Sequence, residues 1–345
     1  MLKIFFSIFF MLLSETSTAS QYPLLKTLIW KATRFEFHTG EVFNELSIGY
    51  VTLGDPSNPA VLILHGTGGS GMGMLNKEFG DELFLKGQPL DAERYFIIIP
   101  DAIGTGHSSK PSDGLRAKFP HYNYDDMVKA QYLLVTQGLN IKQLRLLLGN
   151  SMGGMQAWTW GSKHPEMMQF LVPMASTPIA MSGRNWMLRR MMTDLIRQDP
   201  AWKNGDYEKQ PDITQRASVF FGLATSGGTQ HLQSLAPNSR LADHLIAERL
   251  DQAFSMDTND FLYQWESSRD FDPSEYLSKI QAKVMAINSL DDERNPPELG
   301  LMQEQLKKIP SARLFLIPAS KDTAGHSTTS QAKWWKEELR HFIKP

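Results

Sequence analysis

No cysteine occurs anywhere in this 345-residue chain. That absence excludes disulfides, thiolate metal sites, thiol nucleophiles and a lipid-modified N-terminal cysteine together. Excess charge of either sign is missing too: 35 lysines and arginines stand against 37 aspartates and glutamates, a formal net charge of −2. Such a balance gives no basic field for nucleic acid and no polybasic patch for a membrane surface. No G-x-x-x-x-G-K-[ST] phosphate loop occurs, and no histidine pair has the spacing of a zinc-binding helix. The sequence therefore calls for no metal and no cofactor. Repeats and low-complexity tracts are also lacking.

Long hydrophobic runs are absent but for one, at the very start. Lys3 precedes ten mostly apolar residues, 4–13, and then Ser14-Glu15-Thr16-Ser17-Thr18-Ala19-Ser20 follows. A basic residue, a short apolar stretch and a small-residue zone together read as a secretory signal peptide over residues 1–20, cleaved after Ala19 or Ser20. Ten residues are too few to span a bilayer, which needs about twenty, so no stable membrane insertion is expected after cleavage. The expected location is periplasmic or secreted. An exported chain without disulfides must rely on its core, and a mature chain of this length can supply one.

Past residue 20 the apolar residues follow two periods. Residues 34–37 and 45–53 alternate apolar with polar, as half-buried edge strands do. Residues 61–64, 95–99 and 144–148 are more continuously apolar, broken only by Arg145, which suits central strands of a parallel sheet covered on both faces. Residues 170–174, 283–287 and 313–317 bring the expected strands to eight. Helical stretches intervene, one over residues 125–139 with Val128, Tyr132 and Val135 on one face. Strands alternating with helices imply an α/β fold with a mostly parallel, helix-flanked sheet. Between about residues 178 and 270 the strand signals stop, and Met187, Leu188, Met191, Met192, Leu195 and Ile196 follow a helical period. The expected division is therefore a core over 21–177 and 271–345, interrupted by a helical lid over 178–270. Nine of the seventeen methionines fall between Met152 and Met192. They could line an adaptable acyl pocket, or simply pack cap against sheet.

One pentad carries chemistry. Gly149-Asn150-Ser151-Met152-Gly153 follows the apolar run 144–148 and precedes a helical stretch that stops near His164-Pro165. Strand, G-x-S-x-G, then helix is the context of a nucleophile elbow, in which glycines flank a serine held in a strained, exposed conformation. A serine hydroxyl needs an adjacent base, and that base needs an acid to fix its tautomer; in this arrangement they follow in the order Ser, Asp, His. Asp291 and Asp292 both follow the strand at 283–287. Among nine histidines, His326 alone lies just after the last apolar strand and before a helical stretch at 331–342, where it could serve as general base and acid. The oxyanion hole needs backbone N–H donors. Met152, next to the nucleophile, is one; the other is expected from His65-Gly66-Thr67-Gly68-Gly69-Ser70-Gly71, with Thr67 the donor or, by a one-residue slip, Gly66 or Gly68. A dinucleotide-binding reading of these glycines fails, because no G-x-G-x-x-G opens a helix with an acid downstream.

With these residues in place the chain resembles the α/β-hydrolase superfamily, and within it the homoserine O-acetyltransferase-like branch. Asn150-Ser151-Met152-Gly153-Gly154-Met155-Gln156-Ala157-Trp158 is close to that branch's elbow; segments 100–120, 125–131, 199–207 and the surroundings of His326 continue the likeness. The resemblance implies an eight-stranded sheet with an inserted helical lid. It also favours Asp292 over Asp291, since Asp292 precedes Pro296 by four residues, as in the family's D-x-x-x-P turn. In the transferases of the branch an arginine of the first lid helix holds the homoserine carboxylate. Here that slot falls at Thr193, with Arg189 and Arg190 about a turn earlier, either binding a carboxylate or solvated. Acetyl-CoA, moreover, is a cytoplasmic metabolite. The expectation is thus an exported serine hydrolase that cleaves a carboxylic ester of a small-molecule acyl substrate through an acyl-enzyme. The alternative is an O-acyltransferase using the same intermediate.

Overall fold

A computed structural model describes residues 21–344; the leader expected over residues 1–20 lies outside the described residues. Eight strands form one sheet: β1 (Lys26–Glu36), β2 (Val42–Leu53), β3 (Ala60–Leu64), β4 (Phe96–Pro100), β5 (Leu144–Asn150), β6 (Met168–Met174), β7 (Lys283–Ser289) and β8 (Ala312–Ile317). Their spatial order is β1-β2-β4-β3-β5-β6-β7-β8. The pairs β1–β2 and β2–β4 are antiparallel and all others parallel. The reason is visible in burial. Every residue of β3 and β4 is buried, as covered parallel strands require, whereas β1 at the edge is mostly exposed. One apolar cluster covers each face of the sheet, Leu62, Leu147 and Trp160 on one side and Ile63, Leu146 and Phe84 on the other.

The flanking helices begin where the sequence offers caps and stop where it offers breaks. After a single turn, α1 (Gly80–Phe84), helix α2 (Tyr124–Leu133) opens on a capping box: Asn123 accepts from the Asp126 N–H at 3.0 Å, and Asp126 accepts from the Asn123 N–H. The helix expected to run to residue 139 instead widens into a π-turn over Leu134–Gly138. Helix α3 (Met152–Lys163) starts at the elbow, ends before Pro165 and buries all but its last residue.

Between β6 and β7 the chain is helical throughout its regular elements: α4 (Gly183–Gln198), α5 (Asp212–Thr225), α6 (Thr229–Leu235), α7 (Ser239–Asp251) and α8 (Thr258–Glu266). This insertion has a small core of its own, built from Met192, Ile196, Trp202, Phe221, Phe261 and Trp265. Only half of the expected apolar stripe of α4 is covered: Met192 and Ile196 are buried, while Met187 is 66% and Met191 57% exposed. The chain ends with α9 (Leu301–Leu306) and α10 (Lys336–Phe342) around β8. Among the described residues no helix is long and apolar enough to cross a membrane.

Candidate active site

Ser151 stands between β5 and α3 with φ +55° and ψ −113°, a region that L-residues avoid at a cost of roughly 1–3 kcal/mol. The turn is tight enough that a Cβ on Gly149 would collide with the Gly153 carbonyl, and one on Gly153 with the Leu64 carbonyl. The pentad's glycines are thus required by close approach of backbone to backbone. The strain presents the Ser151 hydroxyl to His326, whose Nε2 is 2.8 Å from Oγ.

His326 lies in a 3-10 segment, Gly325–Ser330, after β8. Its Nδ1 is 3.0 and 3.1 Å from the two carboxylate oxygens of Asp292. Asp292 also accepts from the backbone N–H groups of Arg294 and Asn295 and from the Asn295 side chain. Asn295 in turn donates to the Ala175 carbonyl, tying the acid's loop to the end of β6. Burial alone would raise the Asp292 carboxyl, but His326 and these donors hold it below its ordinary value. Burial pushes His326 below its ordinary value, aided by the positive charges of Arg294 and Arg189 and opposed by Asp292. The imidazole is therefore neutral near pH 7 and able to take a proton.

Asp291 faces the other way. It accepts from Thr323 Oγ1 at 2.7 Å, from the Gly325 N–H at 3.3 Å and from Ser289 Oγ. It organises the loop that carries His326, but it does not touch the imidazole ring.

The glycine-rich segment after β3 forms a turn beside the serine: a methyl on Gly66 would stand 3.6 Å from Ser151 Cβ. The Gly69 N–H donates to the Gly66 carbonyl at 3.0 Å, and His65 Nδ1 donates to the same oxygen at 2.8 Å. His65 is buried, and its Nε2 accepts the Ala102 N–H at 3.0 Å, so the ring is neutral with its proton on Nδ1. A peptide group is planar, so pinning the Gly66 carbonyl from two sides also fixes the direction of the Thr67 N–H. The Gly68 N–H is occupied by Gln264 Oε1 at 3.2 Å. Of the three donors considered from sequence, Gly68 is thus engaged elsewhere, while the Thr67 N–H has no hydrogen-bond partner among the described residues.

A cavity of about 490 Å³ opens onto Ser151 and His326. Met155, Met181 and Met302 contribute to its wall, but the other methionines of the 152–192 cluster do not; Met152, Met167, Met168 and Met174 pack in the core. Arg189 and Arg294 also line it. Arg189 is 3% exposed, donates to Asn185 and Ser268, and stacks on the Trp265 ring at 4.8 Å. Arg294 donates to Thr225 Oγ1 and lies over Phe221 at 4.7 Å and Trp265 at 5.5 Å. Burial and the charge of Arg189 press Arg294 down to about 9, so it is still cationic at neutral pH. Neither guanidinium forms a salt bridge to a carboxylate among the described residues. Arg190, by contrast, is a surface residue paired with Asp194 at 2.7 Å. Thr193 is buried, and its hydroxyl bonds back to the Arg190 carbonyl. Among the described residues no group of three or more His, Asp or Glu side chains could hold a metal ion.

Sequence reasoning passed over His65, Asn295, Arg294 and Gln264. The first two adjoin motifs already singled out and could have been weighed there. The last two become visible only when the insertion is folded onto the sheet.

A sheet of this order with a serine at the β5–α3 elbow defines an α/β-hydrolase fold, and residues 59–326 match the alpha/beta hydrolase fold family. A homoserine O-acetyltransferase of Trichormus variabilis is 32% identical over 320 residues, covering 83% of this chain and 85% of its own. Two solved structures share the fold: a homoserine O-acetyltransferase from Bacillus anthracis (TM-score 0.82, 19% identity, 93% of this chain and 98% of that one) and an acetylester hydrolase from Corynebacterium glutamicum (TM-score 0.79, 22% identity, 93% and 96%). The chain belongs to the α/β-hydrolase family, in its homoserine O-acetyltransferase-like branch.

Proposed function

We propose that this chain is a serine acyl-transfer enzyme that moves an acyl group onto a small, carboxylate-bearing alcohol. The observation that carries the reading is the hydrogen-bonded relay from Ser151 to His326 to Asp292 at 2.8 and 3.0 Å. His326 Nε2 takes the Ser151 hydroxyl proton as Oγ attacks the acyl carbonyl. The Thr67 and Met152 N–H groups receive the developing oxyanion. The donor's alcohol leaves with the proton from His326, and an acyl-enzyme remains. The acceptor hydroxyl then gives its proton to His326 and attacks the same carbonyl, regenerating Ser151. The relatives in the branch support transfer over hydrolysis as the outcome. Arg189, buried, and Arg294, half-buried, both line the cavity with no salt bridge among the described residues, and supply the cation that an anionic acceptor requires.

Hydrolysis is the second reading, favoured by one observation: the slot where the transferases carry their arginine holds Thr193 here. Export is part of the proposal as well, resting on the leader-like residues 1–20. Outside the cytoplasm an ester rather than a thioester would be the donor. Product analysis decides between the readings. With acetyl-CoA or a simple acetate ester as donor and homoserine as acceptor, O-acetylhomoserine should form faster than free acetate. Free acetate as the sole product would overturn transfer, and the N-terminus of protein recovered from the host's envelope fraction tests export.

A further inference from the structure

Most of the methionines clustered between Met152 and Met192 pack in the core or face solvent, but Met155 and Met181 line the cavity that opens onto Ser151. Met302 of α9 and Leu314 and Leu316 of β8 line it with them. Met155 lies one helical turn past the nucleophile, its N–H bonded to the Ser151 carbonyl at 2.9 Å. Leu314 and Leu316, two residues apart on a strand, point to one face of the sheet. The paired register runs Asn150, Met174, Ile287, Phe315 across β5, β6, β7 and β8. That row sets the two leucines level with the end of the nucleophile's strand and three strand spacings from it, about 14 Å. Met155 and Met302 belong to the apolar cluster on this face, and Met181 and Leu314 pack against it. The wall is the rim of the sheet's own core, left uncovered along one side of the cavity.

We propose that this wall is an acyl subsite, and that Ser151 carries a straight aliphatic acyl chain of about six to ten carbons, the length that spans it, rather than acetyl. The proposal rests on the acyl-enzyme reading above and adds the identity of the acyl group. Two substituents leave the reacting carbonyl, the acyl chain and the alcohol, and the cavity offers two kinds of wall. Arg189 on α4 and Arg294, stacked on Phe221 and Trp265, stand toward the insertion and suit an anionic acceptor. The rim of methionine and leucine carries no charge and suits a hydrocarbon chain. In a cavity of about 490 Å³ an acetyl group would leave most of that rim facing water. Methionine is unbranched and has three rotatable bonds, so it conforms to a flexible chain. Fully burying one methylene is worth about fourfold in kcat/KM, and covering it on one side about twofold.

The test uses two isomers, ethyl octanoate and octyl acetate, which contain the same atoms and differ in which side of the ester bears the chain. Donor consumption is followed with homoserine present, per active site counted from a 4-nitrophenyl acetate burst, so unfolded protein does not enter. kcat/KM for ethyl octanoate should exceed that for octyl acetate by about 10–100-fold, the worth of moving six methylenes onto the wall. Leu316→Gln and Met181→Gln, close in size but polar and both at half-buried positions, should each cut that ratio about fivefold or more; either serves if the other does not fold. Met187→Gln, at the exposed methionine of α4, should keep the ratio within about twofold of wild type. A wild-type ratio of about one or less, or a preference that neither wall variant reduces more than Met187→Gln does, would overturn the subsite while leaving the acyl-enzyme standing. A wild-type chain that gives no burst overturns the acyl-enzyme reading and this proposal with it.

Discussion

In the sheet, Leu62, Ile63, Leu147 and Leu148 have no exposed surface; in the insertion between β6 and β7, Met187, Met191, Leu195 and Phe220 are each 47–66% exposed. Strands covered on both faces leave their residues little freedom in choosing an environment. Helices around a small private core can turn part of an apolar face outward at little cost. The two regions divide the candidate site accordingly. Ser151, His326, Asp292 and the Thr67 turn all come from loops of the sheet, anchored by the buried strands on either side. Arg189 and Gln264 come from the insertion, and Arg294, on a sheet loop, is held by Thr225, Phe221 and Trp265 of the insertion. On the proposed reading, the sheet places the reacting groups and the insertion adapts the site to a substrate.

That division is broken most decisively at the nucleophile. Ser151→Ala should lower kcat by about 10⁴-fold or more and abolish labelling by a fluorophosphonate. If the variant labels as strongly as wild type, the reacting residue is not on the sheet's elbow. The next effect separates two adjacent acids. Asp292→Asn leaves the imidazole without its carboxylate and should cost about 10³–10⁴-fold in kcat. Asp291→Asn disturbs only the loop around Thr323 and Gly325, and should cost about tenfold or less. Equal losses would show that loop order, rather than contact with His326, matters.

A smaller effect belongs to the insertion. Arg189→Met and Arg294→Met should each raise KM for homoserine by about 10–100-fold, the worth of one charge-assisted hydrogen bond. KM for 4-nitrophenyl acetate, which carries no anion, should change little. If both substrates weaken alike, the arginines serve the fold, and recognition does not divide from chemistry along the boundary drawn above.

What could be read from sequence follows the same boundary. The elbow was legible because steric exclusion at Gly149 and Gly153 leaves its mark in the residues themselves. His326 was legible from its place after the last strand. Asp291 and Asp292 could not be separated by spacing alone: neighbours on a loop point in opposite directions, and only the family's turn pattern chose between them. Along α4 the helical period was plain, but which half of the stripe is covered depends on a partner helix that sequence does not reveal. Arg294 stands only two residues past Asp292, but the rings that cover it, Phe221 and Trp265, are tens of residues away in the chain and leave no mark beside it. The sequence pointed to Thr193 as the slot of interest, but nothing in one dimension showed Arg189 buried and Arg294 half-buried beside the cavity.

The smallest expected effect is a shift in pH dependence, and it tests whether insertion and sheet are electrostatically joined. Burial, Arg294 and Arg189 all press His326 below its ordinary value of about 6.5, against the pull of Asp292. Glu293, its own carboxyl raised by burial, is the other titratable neighbour. The acid limb of kcat/KM for 4-nitrophenyl acetate should therefore lie below 6.5 in the wild type. Arg294→Met removes a positive neighbour, so the imidazole should gain its proton more readily and the limb should move to higher pH. Stability carries the same sign. An unfolded chain protonates this histidine near 6.5 while the folded one resists, so the contribution of His326 is complete above that value and falls away as pH drops below it. Asp292, held low, keeps its own contribution until pH falls below about 3.9. In Arg294→Met the loss of Tm between pH 6.5 and 5 attributable to His326 should be shallower than in the wild type. A limb that stays put or moves down in the variant would mean that the guanidinium does not act on His326 through its charge, and that the insertion's hold on Arg294 is a matter of packing alone.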